Sequence, residues 1–248
     1  MTRSFVLGDD DRFAPLQEQW QDHVRRRFRR GPDPAQTTLD MVVEQRPDAV
    51  LEVGGGSGQF AAAIGDHVEG SVLLTDASPL LIAQAADMRQ VVGVVADATA
   101  LPLASAQFDC AVARRPQWSH DRVGPALTEL TRILDDCGVL LLSVGSSRSD
   151  GHELDELLGR TLRRRSVGLT SDTAHAALAW HFGHVEQTRL DHALVFPSGT
   201  ELASYLTAMP ARQHLADRVR DLSGPLRLTY DVRLFVATRP RRRPTSAS

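Results

Sequence analysis

Between residues 49 and 144 the chain alternates two hydrophobic patterns. Short apolar runs fall at 49–53, 71–76, 91–96, 108–113 and 139–144, and the stretches between them carry apolar residues at helical spacing. Runs that short and that continuously apolar predict strands buried on both faces, and their alternation with helices predicts a mainly parallel sheet. Upstream, Phe13, Leu16, Trp20, Val24 and Phe28 lie roughly along one face of a single helix over residues 12–30, which Gly31-Pro32-Asp33-Pro34 ends. Downstream, residues 152–165 and 173–182 read as helices. Two β-like runs follow at 184–196 and 226–238, separated by helical sequence around 201–209.

The first apolar run carries one carboxylate and leads straight into glycines: Val50-Leu51-Glu52-Val53-Gly54-Gly55-Gly56-Ser57-Gly58-Gln59-Phe60. Glycine tolerates positive φ and has no Cβ, so Gly54, Gly56 and Gly58 let the backbone turn sharply and lie close against a ligand. A helix over 59–64 would offer its free N–H groups to that ligand. The dinucleotide fingerprint Gly-x-Gly-x-x-Gly is the competing reading, but its third small residue is Gln59 here, and a long amide fits poorly where helix packs on strand. The next two apolar runs each end in an aspartate, Asp76 and Asp97. Asp76 lies about 20 residues past the glycine loop, where a carboxylate at a strand end can accept hydrogen bonds from both ribose hydroxyls. As a plain structural feature it would instead cap the helix that opens with Ser78-Pro79.

Through Glu52/Gly54/Gly56/Gly58, Asp76, Asp97-Ala98 and Phe108-Asp109 the chain resembles the class I S-adenosylmethionine-dependent methyltransferases, over about residues 36–145. The segment Ala126-Leu127-Thr128-Glu129-Leu130-Thr131-Arg132-Ile133-Leu134 looks like that family's helix before its fifth strand. The resemblance implies a Rossmann-like, doubly wound α/β sheet of seven strands, the last antiparallel, with helices on both faces and a helical lid. It divides the chain into a lid over 1–35, a cofactor-binding core over 36–146, a substrate roof with the final two strands over 147–238, and a disordered tail over 239–248. S-adenosyl-L-methionine is the cofactor it implies. Glu52 with Gly54, Gly55, Gly56 and Gly58 would line the methionine moiety, Asp76 beside Ala77 would hold the ribose, Asp97 and Ala98 would frame the adenine, and Arg114 joins this cofactor-binding set.

Two departures matter. Where the family usually shows a Lys-Pro-Gly-Gly turn, this chain has Asp135-Asp136-Cys137-Gly138, and only the glycine remains to permit the turn. After the fourth strand, related small-molecule enzymes often carry an aromatic followed directly by histidine. In Arg114-Arg115-Pro116-Gln117-Trp118-Ser119-His120-Asp121 the aromatic is Trp118, Ser119 takes the histidine slot and His120 comes one place late.

Composition narrows the function classes. All 28 basic residues are arginine, so a lysine nucleophile or Schiff base is excluded. A net charge of −3 argues against a generally basic nucleic-acid binder. Arginine clusters at 25–27 with 29–30, at 163–165, and at 239 with 241–243 keep phosphate contacts open as an alternative to solvated surface. Two cysteines, Cys110 in a strand and Cys137 in a turn, indicate neither a disulfide framework nor a zinc site, and the irregularly spaced His152, His175, His181 and His184 do not suggest a metal centre. The chain shows no apolar run of membrane-spanning length and no signal-peptide core, so a cytoplasmic protein without a membrane partner is expected.

The substrate pocket is expected above the carboxyl ends of the first, fourth and fifth strands of the core, under the N-terminal helix and the 147–182 segment. Trp20 and Trp118 are the candidate substrate contacts. His120 and His152 are the candidate general bases for deprotonating a hydroxyl acceptor. The leading reading is a small-molecule N- or O-methyltransferase, of the kind used in secondary metabolism. An RNA methyltransferase using the arginine clusters, and a non-catalytic or repurposed cofactor binder, are the alternatives.

Overall fold

A computed structural model of the chain describes residues 24, 26–88, 90–146, 152–158, 168–208 and 213–241. In chain order they form β1 (Arg29–Arg30), α1 (Pro34–Gln45), β2 (Ala49–Val53), α2 (Gln59–Gly65), β3 (Ser71–Asp76), α3 (Pro79–Ala85), β4 (Val91–Val95), β5 (Phe108–Arg114), α4 (His120–Ile133) and β6 (Leu134–Gly145). Then follow α5 (His152–Leu158), α6 (Ser171–His181), β7 (Phe182–Phe196), α7 (Gly199–Thr207), a 3-10 turn (Gln213–Leu215), α8 (Ala216–Val219) and β8 (Leu226–Pro240).

The strands make one eight-stranded sheet in the order β1-β7-β8-β6-β5-β2-β3-β4. β2 pairs in parallel with β3 on one side and β5 on the other, β3 with β4, and β5 with β6. β8 runs antiparallel to β6. The chain is therefore wound outward from β2 in both directions, and the boundary between β2 and β5 is the switch point at whose carboxyl end such sheets open a crevice. This is the Rossmann-like α/β class expected, with one strand more than seven.

The extra strand is β1, and it corrects the helix expected over 12–30. Within the described part of that stretch Val24 and Arg26–Phe28 are helical, and Arg29 and Arg30 then pair antiparallel with Leu194 and Ala193 of β7. Phe28 is the last residue of the apolar stripe; it is buried with its ring centroid 5.0 Å from that of Phe196. Once that stripe ends, nothing holds the next two residues helical, and their backbone groups gain partners at the open sheet edge. Residues 12–23, including the Trp20 expectation, lie outside the described residues.

Two compact units can be distinguished. The larger holds α1–α4, α6, β2–β6 and the 182–192 and 230–240 stretches of β7 and β8. Its sheet is buried on both faces because the strand residues alternate. Leu51, Val53, Ala111, Ala113, Leu140 and Leu142 pack with Leu127, Leu130 and Ile133 of α4 and Leu178 of α6. Val50, Cys110, Val112 and Leu141 pack with Val42 of α1, Phe60 and Ile64 of α2 and Ile82 of α3. Each of the Val, Leu, Ile and Phe side chains among them contributes about 1.5–3 kcal/mol on burial. The smaller unit holds β1, α5, α7, α8 and the 193–196 and 226–229 stretches, where the rings of Phe28, Phe196 and Tyr205 pack in series at tilted angles and Glu153 accepts from the N–H of Thr229 at 3.0 Å.

Local signals fix the helix starts. Asp33 accepts from the N–H of Ala35 at 2.9 Å ahead of Pro34 at the first position of α1, and Ser78 precedes Pro79 in the same way at α3. The expected turn at 135–138 falls inside β6 as a shift of register, Phe108 pairing with Leu134 and Cys110 with Val139, while Asp135 accepts from the Cys137 N–H at 2.9 Å. Gly138 serves it by closeness, because a Cβ there would lie 3.0 Å from the Leu134 Cβ. β8 runs on to Pro240, past the expected start of the tail at 239, and Arg241 donates its N–H to the carbonyl of His181 at 2.8 Å. No helix among the described residues is long and apolar enough to cross a membrane.

Candidate active site

The carboxyl ends of β2, β3 and β4 carry the expected acidic residues. Glu52 lies on β2 between Val112 of β5 and Leu74 of β3, and is only 2% exposed. After Val53 the chain turns at Gly54, whose φ is +70° and whose missing Cβ would meet nothing within 4 Å. Glycine is required there by the backbone, and the space beside it is open. Gly54 and Gly55 donate N–H to the carbonyl of Thr75 at 2.7 and 3.4 Å, tying the loop to β3. Gly58, at φ +83°, opens α2, and a Cβ on it would stand 2.8 Å from the Ala85 Cβ and 3.2 Å from a Leu74 methyl. It thus takes the close-packing task that Gln59 cannot.

Asp76, at the tip of β3, accepts from the Gly56 N–H at 3.0 Å and, through its other oxygen, from the Ser78 N–H at 2.9 Å. The structural reading of Asp76 is seen directly, since it turns the chain into α3, and it also braces the glycine loop. Two carboxylates, Glu52 and Asp76, therefore border the loop, and one loop amide is already committed to an aspartate. A pyrophosphate would meet repulsion and lack that amide. Hydroxyl and ammonium donors fit this set of acceptors instead.

Asp97 follows β4. One of its oxygens accepts from both the N–H and the hydroxyl of Thr99, at 2.9 and 2.8 Å, and also from the Arg122 guanidinium on α4. Burial pushes its carboxyl up, but hydrogen bonds from Arg122 and Thr99 outweigh this and hold it below the ordinary aspartate value. Further along the same loop, Leu101 donates its N–H to Glu129 at 2.8 Å. Arg132 donates to the carbonyls of Leu103 and Leu101 at 2.7 and 3.0 Å and grips Glu129 in a two-pronged pair, both contacts at 2.8 Å. α4 thereby clamps the segment that carries Asp97 and Ala98. Arg122, Glu129 and Arg132 received no role from the sequence reading; the Glu129/Arg132 spacing of i,i+3 on a helix was the available signal. Asp109 performs a related task below the site, accepting from the N–H groups of Asp48 and Ala49 at 2.7 and 3.1 Å where β2 begins.

The remaining candidates are distributed differently. Trp118 is 8% exposed and sits in the core cluster with Leu169, Ala174 and Leu178, so its ring is chiefly a packing element. His120 is exposed at the first position of α4, with Gly168 packed so closely on its backbone that a Cβ there would lie 2.3 Å from the His120 nitrogen. His152 opens α5, and its side chain lies outside the described residues, as do Arg163–165. His181 and His184 are engaged with Ala177 and Glu186, and the described residues contain no cluster suited to a metal ion. Arg114 ends β5 with its guanidinium 3.9 Å above the Phe60 ring.

A sheet wound outward from a glycine turn, with acidic strand tips beside it, defines a Rossmann-like doubly wound α/β fold. Residues 51–142 match the family model described as a methyltransferase domain. No curated protein matches the chain. Among solved structures it is similar to the YcgJ protein from Bacillus subtilis, at 18% identity and a TM-score of 0.60, over 84% of this chain and 99% of that one. It is also similar to an S-adenosylmethionine-dependent methyltransferase of Thermotoga maritima described as a possible histamine N-methyltransferase, at 18% identity, TM-score 0.57, and 93% and 97% coverage. A third similar structure concerns conversion of a disulfide bond into a thioacetal group during echinomycin biosynthesis, with 18% identity, TM-score 0.56, and 93% and 94% coverage. The resemblance read from Glu52 through Asp109 is thus borne out at the level of domain and fold.

Proposed function

We propose that the protein is an S-adenosylmethionine-dependent methyltransferase acting on nitrogen or oxygen of a small-molecule acceptor. The carrying observation is the tie between the Gly56 amide and Asp76. It fixes a carboxylate at the tip of β3 beside an open glycine turn, an acceptor suited to hydroxyl and ammonium groups and unsuited to pyrophosphate.

In this reading Glu52 and the Gly54–Gly58 turn hold the amino-acid end of the cofactor. Asp76, with Ala77 beside it, accepts from the ribose hydroxyls, and Asp97 with Ala98 borders the adenine. When bound, the cofactor supplies an already activated methyl group on a sulfonium sulfur. The chain's own contribution is then largely alignment and exclusion of water, for which well-oriented reactants gain up to about 7–11 kcal/mol. His120 and His152 are the candidate bases for a hydroxyl acceptor; an amine bound neutral requires none. A net charge of −3 favours a compact acceptor over RNA.

Calorimetric titration with S-adenosylhomocysteine tests the cofactor assignment. Binding by the wild type, with a loss of about a hundredfold in Asp76→Ala, is expected for removal of a charged hydrogen-bond acceptor. Equal affinity in the two proteins refutes it. Full turnover by both His120→Ala and His152→Ala would eliminate the base assignment alone, and strongly salt-dependent RNA binding would move the acceptor to the second reading.

A further inference from the structure

Arg114 is an arginine whose charge nothing in the described protein answers. It is the last residue of β5, partly buried, in register with Ser143 of β6. Its guanidinium carbon lies 3.9 Å above the Phe60 ring, so one face of the planar group is held flat by a cation–π contact with the first turn of α2. Among the described residues no carboxylate, carbonyl or hydroxyl accepts from its N–H donors. The other arginines around this end of the sheet behave differently. Arg122 is paired with Asp97, and Arg132 with Glu129 and two carbonyls. A partly desolvated guanidinium, fixed in orientation and with its donor edge uncommitted, is the arrangement that planar anions recognise through two parallel hydrogen bonds.

We infer that Arg114 is the receptor for an anionic group on the acceptor, so that the enzyme's substrates are small molecules bearing a carboxylate or phosphate. The inference rests on the methyltransferase reading and deepens it. Position in the sheet sets Arg114 apart from the carboxylates, although Phe60 belongs to the helix that follows the glycine turn. The carboxylates assigned to the cofactor stand on β2 and at the ends of β3 and β4, to one side of the switch point, whereas Arg114 stands on β5, on the other side. The resemblance put Arg114 with the cofactor; the strand order puts it at the end left for the acceptor.

Benzoate and its neutral isostere benzamide are the probes, titrated calorimetrically into wild type, Arg114→Met and Arg114→Lys, each saturated with S-adenosylhomocysteine. The methionine variant keeps apolar packing on Phe60, and the lysine variant keeps the charge. Expected are benzoate binding by the wild type with benzamide silent, a loss of about tenfold or more in Arg114→Met, partial retention in Arg114→Lys, and S-adenosylhomocysteine affinity within about threefold throughout. Indifference of benzoate to the methionine change, or equal behaviour of benzoate and benzamide, overturns the inference and leaves Arg114 as a cover for Phe60. A tenfold loss of S-adenosylhomocysteine affinity with benzoate binding intact overturns it in favour of the cofactor's own carboxylate. A wild type that binds no S-adenosylhomocysteine is a separate failure, that of the methyltransferase reading, and removes the inference with it.

Discussion

Replacing Arg132 with methionine should cost more than any other single change at the surface of α4. Its side chain is 30% exposed and that of its partner Glu129 16%. It donates to Glu129 in a two-pronged pair and to the carbonyls of Leu101 and Leu103. A hydrogen bond to a charged group is worth about 1.5–3 kcal/mol when buried, while exposed ion pairs are worth under about 1 kcal/mol. Partial exposure places Arg132→Met between those limits, at about 2–4 kcal/mol in total, or a fall in Tm of roughly 5–15 °C for a chain this long. Urea denaturation followed by circular dichroism gives the loss. The double variant with Glu129→Gln should be less destabilised than the sum of the singles by about 1–2 kcal/mol, because both residues hold the same loop. A loss below about 0.5 kcal/mol for Arg132→Met, or strict additivity, would refute the clamp. Because that loop begins at Asp97, the variant should also weaken S-adenosylhomocysteine binding.

Four further outcomes are expected. The Arg132 hydrogen bond, opposed by burial, holds the Glu129 carboxyl below its usual 4.5; its contribution is therefore complete above that pH and lost as pH falls through the lower folded value, and acid unfolding of Arg132→Met should begin with a shallower slope than that of the wild type. Gly58→Ala forces a side chain onto φ +83° and sets its Cβ 2.8 Å from that of Ala85, so destabilisation of about 2–4 kcal/mol in urea is expected, and a neutral result would mean the turn can be rebuilt. Asp109→Ala strips the acceptor from the Asp48 and Ala49 amides and should cost about 1–3 kcal/mol while leaving S-adenosylhomocysteine affinity unchanged in the folded fraction. Burial, with the neighbouring Asp109 charge, pushes the Cys110 thiol up to about 12, so a native thiol titration at pH 8 should count the exposed Cys137 alone, and Cys110 only after denaturant is added.

The glycine turn and the acidic strand ends were legible because their chemistry is local. A strand that ends in glycines, and a strand that ends in aspartate, are written in consecutive residues, and the boundaries of β2 and β3 coincide with the apolar runs at 49–53 and 71–76. Even the structural and functional readings of Asp76 could be stated in advance, although the sequence could not tell that its two oxygens serve Gly56 and Ser78 at once. Arginine partnerships were not legible. Arg122 is 25 residues from Asp97, and no spacing rule singles it out among 28 arginines. Trp118 shows the converse. Its position in the motif suggested a substrate contact, and the ring is 8% exposed within a core cluster that also takes in Leu169, Ala174 and Leu178, from a segment some fifty residues away.

Hydrophobic period and turn chemistry, which depend only on neighbours along the chain, were sufficient to determine the α/β class, the glycine turn and the acidic strand ends. Which arginines would be neutralised and which left with a donor edge to spare was decided by strand order and helix docking. Coulomb and hydrogen-bond partners are chosen by distance in space, and distance in space follows from the way the sheet is wound about β2.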